Sequence, residues 1–166
     1  MKKWIFTLLA VAVTVSSCGV LSSETREEKA AREAREAQMV LNNIQSGHFT
    51  IDIDRMYPIR GTSQHVTNYS VSVKDGELNS HLPYFGQAWR VPYGGGHGLT
   101  FKAPVVTYNV MNRNDGYEVR IYVKTDEDQH IYTLTVFPNG RASLDVQSQN
   151  RERISYGGMM DFYSEE

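Results

Sequence analysis

The chemistry this chain could perform is concentrated in a few short stretches. The densest runs from Leu82 to Phe101, where Tyr84, Phe85, Trp89, Tyr93 and Phe101 place five aromatic rings in 20 residues beside five glycines, Gly86, Gly94, Gly95, Gly96 and Gly98. Flat rings on a loop can receive the face of a sugar or an apolar ligand, and glycines leave backbone N–H groups open to it. In that use Tyr84, Phe85, Trp89, Tyr93 and His97 are the candidate ligand-binding residues. The competing use is structural: Tyr84 and Phe85 plug one end of a sheet while the glycines permit a tight crossing. Gly94 to Gly98 makes a poor phosphate loop, because no Lys-Ser/Thr follows and no helix begins there.

Other reactive groups do not converge. His48, His65, His81, His97 and His130 show no H-x-H or H-x-x-x-H spacing, and the absence of a second thiol leaves no cysteine metal set. Asp52 and Asp54 share one face of a strand, as i,i+2 residues do. They could hold Ca²⁺ or share a proton, yet this is also how the wet side of an amphipathic strand looks. Asp126-Glu127-Asp128 lacks the glycine and final glutamate of an EF-hand loop. Arg141, Arg151 and Arg153 could receive an anionic group, or simply pair with Glu118, Asp145 or Glu152 on the sheet surface. No G-x-S-x-G elbow is present. A catalytic or metal set is therefore not expected, nor a cofactor, and an enzyme is the least supported class.

Cys18 is the sole cysteine, which excludes a disulfide framework. Its setting gives it another use. Lys2 and Lys3 form a basic start, Trp4 to Val15 an apolar run, and Val15-Ser16-Ser17-Cys18 a small-residue end. This is the three-part layout of a secretory signal, and it resembles the lipobox of bacterial lipoproteins. On that resemblance residues 1–17 are removed, Cys18 is the lipidation site and residues 18–23 are a tether. An uncleaved anchor and a plain secretory signal are the alternatives. The run is shorter than the roughly 20 residues that a membrane-spanning helix needs. Three acyl chains exceed the two signals that stable anchoring requires. The expected place is the cell envelope, lipid-anchored in the outer membrane and facing the periplasm, since no acidic cluster follows Cys18.

The remaining 149 residues (166 less 17) suit one domain. Loss of Lys2 and Lys3 takes the basic residues from 17 to 15 against 19 acids, a net charge of −4. Nucleic acid is not an expected partner of such a surface.

A helix is expected over residues 24–45. Ser23 and Thr25 offer capping hydroxyls ahead of Glu27 and Glu28, no Gly or Pro interrupts the stretch, and Ser46-Gly47 stops it. Ala30, Ala34, Ala37, Leu41 and Ile44 form one apolar stripe. Its C-terminal half (Met39, Val40, Leu41, Ile44) suits docking on the domain, its N-terminal half a charged spacer. From His48 the period changes to two. Phe49, Ile51 and Ile53, then Tyr69, Val71 and Val73, then Tyr117, Val119, Ile121 and Val123, then Ala142, Leu144 and Val146 alternate with polar residues, the pattern of antiparallel strands with one wet face. Asp75-Gly76, Asp115-Gly116 and Asn139-Gly140 are hairpin dipeptides. The last strand is expected over Arg153–Tyr156, ended by Gly157-Gly158. The fold class is mainly β: an antiparallel meander of eight or nine strands over residues 48–158, barrel-like or an open curved sheet, with one N-terminal helix.

Four stretches in order carry a family likeness: His81-Leu82-Pro83-Tyr84-Phe85-Gly86, the glycine run to Leu99-Thr100-Phe101, Thr135-Val136-Phe137-Pro138-Asn139-Gly140-Arg141-Ala142, and Asn150 to Gly158. Placed after a lipobox, they resemble the domain-of-unknown-function 4251 family of Gram-negative envelope lipoproteins, over residues 30 to 160. The resemblance implies an exported, mostly β domain and carries no activity. Two functional readings stay open: a binding module for a small apolar or glycan ligand, and an assembly lipoprotein that meets another envelope protein through an edge strand or its helix. A cavity lined by the inward residues would favour the first, a filled core with an exposed apolar patch the second.

Overall fold

The computed structural model describes residues 25–90 and 98–162. One helix, α1 (Arg26–Ser46), precedes eight strands: β1 (Phe49–Pro58), β2 (Gln64–Lys74), β3 (Glu77–Leu82), β4 (Leu99–Arg113), β5 (Gly116–Lys124), β6 (Gln129–Val136), β7 (Arg141–Ser148) and β8 (Ile154–Asp161). Each strand pairs antiparallel with its sequence neighbour, and β8 returns to β1, so the meander closes into a barrel. The open-sheet alternative is thereby excluded. Closure satisfies both ladders of β1 and β8 and removes two edges.

The ends of α1 follow from local chemistry. Thr25 accepts from the Glu28 backbone N–H (3.2 Å) while the Glu28 carboxylate accepts from the Thr25 N–H (2.8 Å), a reciprocal capping box. At the other end Gly47 takes the left-handed conformation, φ 68°. Of the helix, only Val40 and Ile44 are buried. This agrees with docking by the C-terminal half alone. The Tyr108 hydroxyl donates to the Ile44 carbonyl (2.6 Å), and burial pushes its pKa up to about 12. The helix lies at the barrel end where β1 starts, its exit tied by His48 Nε2 to Asp75 Oδ1 (3.1 Å) in the β2–β3 turn. In that turn both Asp75 (φ 53°) and Gly76 (φ 76°) take positive φ, as a tight hairpin requires.

Alternate residues of each strand point inwards and fill the barrel. Ile51, Leu78, Leu99, Ile121, Tyr132, Leu134, Leu144, Ile154, Tyr156 and Met160 all have under 2% or about 2% of their surface exposed. Hydroxyls in the core are partnered: the Tyr132 hydroxyl donates to Ser80 Oγ (2.9 Å), which donates to the Leu99 carbonyl (2.7 Å). The Tyr156 hydroxyl donates to the Pro83 carbonyl (2.6 Å). Removal from water raises the pKa of both phenols.

Two elements differ from expectation. β8 does not stop at Gly157-Gly158 but continues to Asp161. Glycine there serves close strand approach instead of termination, since a Cβ on Gly158 would collide with the Asp52 carbonyl oxygen of β1. β4 also divides its pairing. Leu99–Pro104 pair with β3 and Val105–Arg113 with β5, the change falling at a proline, which has no N–H to give, and a register shift between Val105 and Thr107. The first half of β4 consequently stands apart from the β5–β6 turn and opens a cleft in the barrel wall.

Candidate functional site

The barrel end away from α1 is built from the β1–β2 loop (59–63), the described start of the β3–β4 loop (83–90), the β5–β6 turn (125–128) and the β7–β8 loop (149–153). Backbone pairing laces two of them together. Trp89 N–H donates to the Asn150 carbonyl and Glu152 N–H to the Gln87 carbonyl, both 2.9 Å, around a bridge between Ala88 and Arg151. Glu152 adds the third loop: its carboxylate accepts from the Gln87 N–H (3.2 Å) and lies 3.4 Å from Arg60 Nε.

Tyr84 is the clamp of this assembly. Its hydroxyl reaches the carbonyls of Gln87 (2.7 Å) and Glu152 (3.2 Å), and its ring lies under the Arg151 guanidinium, 5.6 Å from the centroid. Burial is the first cause of its raised pKa. Its neighbours do the opposite: Phe85 is 55% and Trp89 68% exposed, and Ile59, beside Arg60, is 62% exposed. Of the candidate ligand-binding residues, Tyr84 is therefore largely committed to structure, whereas Phe85 and Trp89 present their rings to solvent. Tyr93, His97 and Cys18, the expected lipidation site, lie outside the described residues.

The cleft beside β4 is lined by Phe101, Lys102, Ala103, Pro104, Lys124 to Asp128, His130 and Arg151, with a volume of about 380 Å³. His130 stacks on Phe101 (centroids 4.8 Å apart, planes 22°) and its Nδ1 lies 2.8 Å from Ser148 Oγ. Asp128 is held in place by the N–H groups of Gln129 (2.8 Å) and Asn150 (3.2 Å) and by Asn150 Nδ2 (3.2 Å). Sequence pattern did not distinguish these residues. His130 was one of five unclustered histidines, and the burial of Arg151 depends on Tyr84 in another loop.

His130 carries a pH dependence. Burial disfavours the imidazolium and lowers its pKa; Asp128 opposes that shift and Arg151 reinforces it. The unfolded chain therefore takes up the proton at higher pH than the fold. This contribution to stability is complete above the ordinary histidine value of about 6.5, declines as pH falls through it, and is exhausted below the folded-state value. Thermal unfolding between pH 8 and 5 is expected to show the decline, and His130→Gln to flatten it. An unchanged slope would place the titration elsewhere.

The remaining candidates resolve as surface chemistry. Asp52 and Asp54 are both exposed, separated by a register shift after Ile53. The pKa of Asp52 is raised, by burial first and by Asp161 second. Arg153 pairs with Asp145 (2.9 Å), and Arg141 stands at the helix end beside Glu33 and Glu36. Among the described residues no group of three or more His, Cys, Asp or Glu side chains could hold a metal ion, and no helix is long and apolar enough to cross a membrane.

Known proteins supply a fold and a family, without an activity. A crystal structure of a DUF4251 family protein from Bacteroides eggerthii DSM 20697, at 1.95 Å resolution, is similar with a TM-score of 0.58 and 16% identity, over 78% of this chain and 89% of that one. At this identity the likeness concerns the fold. Among curated proteins none matches. The model of the family described as Domain of unknown function (DUF4251) matches residues 31–160, from within α1 almost to the end of β8, and the chain belongs to that family.

Proposed function

We propose that this protein is a lipid-anchored, non-catalytic module of the cell envelope that binds a glycan or small apolar ligand on the loop end of its barrel. The observation that carries the reading is the pair Phe85 and Trp89, two large rings more than half exposed on a loop that Tyr84, Glu152 and the Ala88–Arg151 bridge hold in place. Binding to a surface ordered in advance avoids much of the entropy loss of immobilising a loop. The buried core of inward side chains counts against the interior cavity expected of a binding module, so this reading rests on the rim alone, and the same core adds weight to the second reading below. Tethering through Cys18 ahead of α1 fits this arrangement, since α1 meets the barrel at the opposite end.

Titration of oligosaccharides released from the host's own envelope onto the full-length protein tests the site. Trp89→Ala and Phe85→Ala are each expected to weaken binding about tenfold, the size of a moderate hot spot of about 1.4 kcal/mol. Equal affinity in wild type and both variants would remove the rim from the reading. The anchor has its own test: Cys18→Ala is expected to leave the membrane fraction or to stall unprocessed. A variant found wholly in that fraction at mature size would sink the lipoprotein assignment.

A second reading, partnership with another envelope protein, is favoured by β4. Beyond Val105, whose N–H reaches the Gly76 carbonyl, no strand among the described residues pairs with its side away from β5. That stretch carries exposed Val106, Val110 and Met111 and no charge before Arg113. An unguarded neutral edge suits strand addition. A Val110→Lys variant that lost a crosslinked envelope partner, with glycan binding intact, would shift the assignment to this reading.

A further inference from the structure

The cleft between the first half of β4 and the β5–β6 turn contains a cation that the fold leaves incompletely satisfied. The Arg151 side chain is 7% exposed, and its Nε has no hydrogen-bond partner among the described residues. The nearest carboxylates stand off: Glu127 Oε2 is 3.8 Å from Nη2 and Asp128 Oδ2 3.9 Å from Nε, both beyond hydrogen-bond reach. Asp128 is already occupied by Gln129 and Asn150, and it compensates the charge without meeting the donor. A buried donor left unmade is costly, which makes such a group a mark of a ligand position.

The rest of the cleft supplies what a ligand needs. Lys102 from β4 and Lys124 from the end of β5 line it with ammonium groups in no ion pair among the described residues, and Phe101, Ala103 and Pro104 form an apolar wall. The volume of about 380 Å³ suits a small molecule. Three cations (Lys102, Lys124, Arg151) are balanced by three anions (Asp126, Glu127, Asp128). The apolar wall of Phe101, Ala103 and Pro104 favours an anion that carries an apolar body, which inorganic phosphate lacks, and a planar carboxylate suits the fork of a guanidinium. Glu127, with its side chain 32% exposed, can swing away and give up its loose contact.

From this arrangement we propose that the β4 cleft is a binding site for a small monocarboxylate with a ring or short apolar body, its carboxylate on Arg151 between Lys102 and Lys124. The site is separate from the Phe85–Trp89 rim and independent of the function proposed there.

Calorimetric titration of the full-length protein in non-ionic detergent, with benzoate, glucuronate and inorganic phosphate as probes, tests it. Millimolar binding of a carboxylate is expected, with phosphate weaker. Lys102 and Lys124 are surface residues whose loss leaves the core intact. Lys102→Gln with Lys124→Gln should lower carboxylate affinity about tenfold, and Glu127→Gln should raise it about threefold, by removing the competing anion. Trp89→Ala should leave it unchanged, which separates this site from the rim. No carboxylate heat at about 20 mM, phosphate binding as tightly as the carboxylates, or affinity indifferent to the lysine pair and to Glu127 would each overturn the proposal.

Discussion

Gly158→Ala is expected to lower the unfolding free energy by about 3 kcal/mol or more, whereas Gly157→Ala beside it is expected to be nearly neutral. The two glycines lie at the β8–β1 seam that closes the barrel, opposite Ile53 and Arg55. A methyl on Gly158 would enter the Asp52 carbonyl oxygen and come within 3.2 Å of the Ile53 Cα. Those are backbone atoms, so relief requires the two strands to part, and with them the hydrogen bonds of closure. A methyl on Gly157 would meet only the Tyr57 ring at 3.4 Å and the Arg55 Cβ at 3.7 Å, ordinary contact distances. Tyr57 is 42% exposed and has room to yield. Thermal melts of the two variants read the difference directly, since 3 kcal/mol corresponds to about 10 °C in a chain of this size. Equal melting temperatures would mean that the seam tolerates separation and that closure contributes little.

That seam also shows where sequence pattern stops. The alternation of Phe49, Ile51 and Ile53, the positive-φ turn at Asp75-Gly76 and the αL stop at Gly47 are local signals, and each was legible because its cause lies within a few residues. Closure joins Thr50 to Asp161. No local pattern encodes a contact between opposite ends of a domain, so barrel and open sheet read alike. Gly157-Gly158 looked like a terminator for the same reason: the carbonyl that requires glycine belongs to β1. The site follows the same rule. Phe85 and Trp89 stand out by residue type, and the structure leaves both rings more than half exposed. Tyr84 has the same chemistry, but its partners Arg151 and Glu152 lie in another loop and draw it into structure. Arg151 shared one description with Arg141 and Arg153. Of the three only Arg151 is buried, packed over the Tyr84 ring and bridged to Ala88.

The packed interior bears on function. The inward side chains form one buried cluster, in which Tyr132 and Tyr156 are held with their hydroxyls bound to Ser80 Oγ and the Pro83 carbonyl. A ligand in their place would have to break those bonds and displace large, well-packed rings. The rim at Phe85 and Trp89 and the cleft at Arg151 need no such rearrangement. Both are positioned by the segment 149–153, so a ligand at either would act on loops braced by a rigid scaffold.

Truncation of Tyr156 tests whether that filling holds the fold. Tyr156→Ala is expected to cost about 3–5 kcal/mol, the range for removing a large ring from a core, with about 1–3 kcal/mol for Tyr156→Phe. The phenylalanine variant keeps the ring and loses only the hydroxyl, leaving the Pro83 carbonyl without its 2.6 Å partner. Since Pro83 begins the β3–β4 loop, this small loss should appear locally, as faster hydrogen exchange from Tyr84 to Trp89. The alanine variant should add a global loss and an apolar void beside Leu144 and Ile154. A void of that kind stays dry and accepts a small apolar molecule, so benzene should raise the melting temperature of Tyr156→Ala and leave the wild type unchanged. Benzene stabilisation of the wild type would reveal interior space and return the ligand to the barrel. Equal losses from the two variants would assign the whole effect to the hydrogen bond, and the ring would then be packed too loosely to fill the core.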